Sequence, residues 1–88
     1  MNIKKELITR EIAGEVILVP VGKSVLESNG LFALNELGAF LWKHLPEADN
    51  ESALVDLVLE EYEVDRETAA ADTAEFLQKL RDMDILER

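Results

Sequence analysis

The side chains that usually carry covalent or metal chemistry are scarce in this sequence. Cysteine is absent and histidine occurs once, at His44. No disulfide or thiolate site is available, and a histidine-rich metal site cannot form within one chain. His44 falls in the apolar phase of a helix that ends just after it, so it reads as a helix-end residue near its own C-terminal carbonyls rather than as half of a nucleophilic relay. Carboxylates are plentiful, but Asp49, Glu51, Glu60, Glu61 and Glu63 show neither EF-hand spacing nor a Gly-centred loop. They read as a solvated acidic face, with any cation there adventitious. Glycines at 14, 22, 30 and 38 fit no GxGxxG or phosphate-loop pattern. The sequence predicts no enzyme, no metal and no cofactor.

The bulk properties narrow the partners. A chain of 88 residues is one domain, 1-88, with a modest core. With 48% apolar residues the composition is globular rather than disordered. Lys4 and Lys5 are not followed by an apolar h-region, and no run approaches the roughly 20 residues that a membrane helix needs. The expectation is a soluble, cytoplasmic chain without a membrane partner. The net charge of −10 argues against nucleic acid, where much of the affinity comes from neutralising phosphates. It suits basic peptides or protein partners, or serves solubility alone.

The elements follow from periodicity. Leu7 to Ala13 is rich in β-branched residues and partly alternates, Gly14-Glu15 reads as a tight turn, and Val16 to Val19 is a β run stopped by Pro20. Val21 to Asn29 reads as a loop holding at most one helical turn at Ser24–Ser28, and Asn29-Gly30 supplies positive-φ capacity before a third strand, Leu31 to Leu34. Asn35 then caps a helix, Glu36 to about Leu45, in which Leu37, Phe40, Leu41, His44 and Leu45 recur at helical spacing. Phe40 and Trp42 beside Leu41 and Leu45 read as core rather than as a base-stacking pair. Pro46 ends that helix. Asn50 caps a second helix with Leu54, Leu57, Val58 and Tyr62 on its inner stripe, widened by Val55 and Leu59. Asp65 caps a long third helix, with Ala69, Thr73, Phe76, Leu77, Leu80 and Met83 inward, and Ile85-Leu86 folds back on the core.

The predicted fold is therefore α+β: a three-stranded antiparallel sheet followed by three helices, winged-helix-like, with the helices covering one face of the sheet. A winged-helix shape suggests DNA, but residues 65–84 carry three basic side chains (Arg66, Lys79, Arg81) against six acidic ones (Asp65, Glu67, Asp72, Glu75, Asp82, Asp84). Such a helix is repelled from phosphates. What remains is an interaction surface. With Val16–Val19 central, Leu31–Leu34 lies on an edge, and it lacks the Lys or Pro that usually guards one. Either another chain adds there as a strand, or the edge is covered by the protein's own loop or by a second copy.

Three stretches then resemble the PqqD-like family. They are Leu18-Val19-Pro20-Val21-Gly22, Asn29-Gly30-Leu31 and, above all, Leu34-Asn35-Glu36-Leu37-Gly38-Ala39-Phe40-Leu41-Trp42. Leu59 to Asp65 and Asp72 to Leu80 extend the likeness over nearly the whole chain. The resemblance implies a RiPP recognition element, a non-catalytic peptide chaperone or adaptor. Such domains bind the leader segment of a ribosomally synthesised precursor peptide and present it to a modifying enzyme, often a radical SAM enzyme, in natural product biosynthesis. It further implies that the leader adds antiparallel to the third strand, here Gly30, Leu31, Phe32, Ala33 and Leu34. The leader would pack against Asp72, Glu75, Phe76 and Lys79 of the third helix. Acidic Asp72 and Glu75 suggest a Lys or Arg in the leader. The alternative is a structural or regulatory module that homodimerises through its edge strand. The family usually has glycine near the end of the third helix, where this chain has Asp84, so a differently shaped terminus is expected there.

Overall fold

The computed structural model describes residues 1–4, 6–22 and 32–87. The predicted Ser24–Ser28 turn, Asn29-Gly30 and Leu31 lie outside the described residues. In order, the elements are β1 (Leu7–Ile12), β2 (Glu15–Pro20), β3 (Phe32–Leu34), α1 (Glu36–His44), a 3-10 turn (Leu45–Glu47), α2 (Glu51–Glu61) and α3 (Arg66–Asp82). The α+β class, the sheet-then-helices order and the antiparallel sheet are as the sequence predicts, with β2 between β1 and β3.

The β1–β2 turn is one residue earlier than Gly14-Glu15. Ile12 pairs with Glu15, so Ala13 and Gly14 form a two-residue loop, at φ 53° and 83°. Two successive positive φ values make the primed turn that matches strand twist. Ala13 adopts the left-handed conformation at a cost, and for that reason glycine alone pointed to the wrong pair.

Helix ends follow their side chains. Asn35, Asn50 and Asp65 each have extended backbone and accept from the amide three residues on: Gly38 N at 2.7 Å, Ala53 N at 2.9 Å and Thr68 N at 3.0 Å. α1 stops at His44, and Pro46 sits in the first turn of the 3-10 segment, where its missing N–H costs nothing.

The core runs through all the layers. Leu18 and Leu34 from the sheet meet Leu41, Leu45, Leu54, Val58, Leu77 and Leu80 from the helices. On α2 the buried stripe is Leu54, Val55 and Val58, while Leu57 and Tyr62 are half-buried. Phe40 and Trp42 pack partly buried against this cluster, Phe40 edge-on to Tyr62 at 5.4 Å between ring centroids. On α3 the inward residues are Ala69, Thr73, Phe76, Leu77 and Leu80, whereas Met83, just past the helix, is half-buried.

The end of α3 corrects the expectation drawn from Asp84. Asp84 takes the left-handed conformation itself, at φ 58°. Ile85 N donates to Leu80 O at 2.8 Å and Asp84 N to Arg81 O at 3.0 Å. This is the Schellman cap that glycine normally completes, with Ile85 packing beside Leu80. Ile85 and Leu86 are buried, and Leu86 bridges antiparallel to Ile3 through Lys4 N–Ile85 O at 2.7 Å and Glu87 N–Asn2 O at 3.0 Å. The sequence pattern shows the tail but not this pairing.

Candidate functional site

Backbone alternation decides which groups β3 leaves open. Val21 N donates to Glu6 O at 2.9 Å, Pro20 has no N–H to give, and Ile12–Glu15 closes a two-residue hairpin. In an antiparallel ladder, hydrogen-bonded pairs alternate with non-bonded ones. Ile8–Val19, Arg10–Ile17 and Ile12–Glu15 are therefore the bonded pairs between β1 and β2. Val16 and Leu18 aim their main-chain groups the other way, at Leu34 and Phe32, their partners on β3. Ile17–Ala33 is then the non-bonded pair, so the N–H and C=O of Ala33 point outward from the sheet edge.

That edge opens onto a groove of about 300 Å³. Phe32, Ala33 and Leu34 form one side, and Asp72, Glu75, Phe76 and Lys79 of α3 form the other. Phe32, Ala33 and Leu34 of the predicted strand and all four predicted helix residues thus line one feature; Gly30 and Leu31 lie outside the described residues. Asn35, Leu37, Gly38 and Leu41 also line it and were not anticipated. The available signal was Gly38, a poor helix former placed in the first turn of a helix. A Cβ there would stand 3.1 Å from Asn35 Oδ1, 3.4 Å from Phe76 Cε1 and 3.5 Å from Leu34 Cδ2. Glycine lets α1, β3 and Phe76 close on one another while the Asn35 cap stays intact.

The groove is apolar below and charged on one wall. Leu34, Leu41 and Phe76 are buried, while Asp72, Glu75 and Lys79 are exposed. Glu75 and Lys79 form an i,i+4 pair at 3.5 Å. The lone histidine lies elsewhere: His44 Nδ1 stands 3.3 Å from Glu47 Oε2 and its ring is 4.5 Å from Phe40. Among the described residues no three His, Cys, Asp or Glu side chains converge on a metal position, and no helix is long and apolar enough to cross a membrane.

This fold is shared with two solved structures. "TbiB1 in Complex with the TbiA(beta) Leader Peptide" is 30% identical, at TM-score 0.75, with 99% of this chain and 95% of that chain covered. "Lasso peptide synthetase B1 complexed with the leader peptide" is 20% identical, at TM-score 0.75, with 99% and 96% covered. A search of curated proteins gives no match. The family model for coenzyme PQQ synthesis protein D (PqqD) matches residues 15–86, and the chain belongs to this family.

Proposed function

We propose that this chain is a RiPP recognition element. It binds the leader segment of a precursor peptide as a strand added to β3 and presents it to a modifying enzyme. A radical SAM enzyme is the partner that the family resemblance suggests. The binding residues are Gly30, Leu31, Phe32, Ala33 and Leu34 on the strand and Asp72, Glu75, Phe76 and Lys79 on the helix. The observation that carries the reading is the outward main chain of Ala33 beside a groove with an apolar floor. TbiB1, at 30% identity, is described in complex with a leader peptide, which supports it. Acting this way, the domain does no catalysis of its own.

Magnitudes set the length of the contact. Two main-chain hydrogen bonds at about 1 kcal/mol each and one buried apolar side chain at about 2 kcal/mol total about 4 kcal/mol before ordering costs. Micromolar affinity needs about 8 kcal/mol. A micromolar complex would need contacts beyond Ala33, and Gly30 and Leu31 belong to the proposed site through the family resemblance.

Ala33→Pro tests the reading. It removes the outward N–H and spares the β2 ladder, which uses Phe32 and Leu34. Titration of a leader peptide encoded beside the gene should show affinity falling at least about tenfold with the circular dichroism spectrum retained. Undiminished binding contradicts strand addition. A wild-type dimer that becomes a monomer on this substitution favours self-pairing of β3 instead.

A further inference from the structure

We infer that the groove selects a basic side chain two residues along the added strand from its apolar anchor. This rests on strand addition at β3 and names the sequence that such a groove reads.

The phase comes from the backbone. The ligand residue opposite Ala33 spends its N–H and C=O on Ala33, and its side chain lies on the Ala33 face of the sheet. Its two neighbours point to the opposite face, that of Phe32 and Leu34, toward the helices. One of these positions meets the apolar floor at Leu34, Leu41 and Phe76. The next groove-facing position is two residues away, about 6.8 Å along the strand.

On the Asp72 side of Phe76 the wall is acidic at that distance, whereas Lys79 lies on the other side. α3 lines the groove from Asp72 to Lys79, so it runs along it. From Phe76 back to Asp72 is about 6 Å of helix rise, close to the two-residue strand repeat. Asp72 and Glu75 are three residues apart and share a helix face. Asp72 is exposed and has no ion-pair partner among the described residues. Among the described residues Glu75 has only the exposed contact to Lys79 at 3.5 Å, with the two side chains 68% and 57% accessible, so an incoming cation can exchange into it. A Lys or Arg there reaches two carboxylates, whereas Asp or Glu is repelled. The net charge of −10 adds longer-range attraction for a cationic segment.

A displayed library of random twelve-residue peptides, selected on the immobilised protein, reads the preference directly. Enriched peptides should carry Lys or Arg two positions from an aliphatic or aromatic residue. Replacing that base by Glu in a synthetic copy should weaken binding about tenfold at low salt and only about twofold at high salt. The exposed pair Asp72→Lys, Glu75→Lys should reverse the preference. Peptides with an anchor but no charge preference, yet weakened by Ala33→Pro, overturn this inference and leave strand addition standing. Failure to enrich, or binding indifferent to Ala33→Pro, overturns both.

Discussion

Thr73 lies in the middle of α3 with no accessible surface, and its hydroxyl oxygen has no hydrogen-bond partner among the described residues. A buried, unpaired polar group costs about 1–3 kcal/mol. Valine keeps the branched shape and has a similar helix propensity. Thr73→Val should therefore raise the unfolding free energy by about 1 kcal/mol in urea titrations. A fall of that size would show that the hydroxyl is satisfied. At this scale the sequence reveals the groove wall better than its floor. Asp72, Glu75, Phe76 and Lys79 follow from the family likeness alone. Gly38 does not, because its role is set by the approach of Asn35, Phe76 and Leu34. That contact joins residues far apart in the chain and leaves no local pattern beyond a glycine in an odd place.

Elements were legible wherever a side chain acts on its own neighbours. The three caps at Asn35, Asn50 and Asp65 are short-range hydrogen bonds and were readable as such. The β1–β2 turn was misplaced by one residue because Ala13 carries a positive φ that alanine does not advertise. Asn at that position suits a primed turn, so Ala13→Asn should stabilise the protein by about 1 kcal/mol, checked by thermal unfolding. An unchanged or lowered midpoint would contradict the turn geometry. The Asp65 cap makes a second prediction. Hydrogen bonds from the Thr68 side chain and then its backbone amide hold the Asp65 carboxyl below the usual aspartate range. A depressed folded-state pKa gives stability that is present at neutral pH and is lost as pH falls through it. Asn still caps a helix but does not titrate. Stability of Asp65→Asn should thus decline less between neutral pH and the acid range below the ordinary aspartate value, as followed by urea unfolding across pH. Parallel curves for the two proteins would contradict it.

Over the whole molecule, the order of strands and helices was readable and the closure of the chain was not. Ile3 bridges to Leu86, and Lys4 reaches Asp84 at 2.7 Å across 80 positions. No periodicity encodes such a pairing; it follows from where the Schellman cap aims the tail. The same geometry bears on function, since sheet and helices meet along a groove whose one open backbone position within the described part of β3 is Ala33. Amide hydrogen exchange tests that claim most directly. In the free protein, Phe32 and Leu34 should already be protected by β2 while the Ala33 amide exchanges readily. On adding a leader peptide, Ala33 should gain protection with little further change at Phe32 and Leu34. An Ala33 amide that stays fast, with the peptide's effects confined to Ala48–Tyr62, would contradict the account.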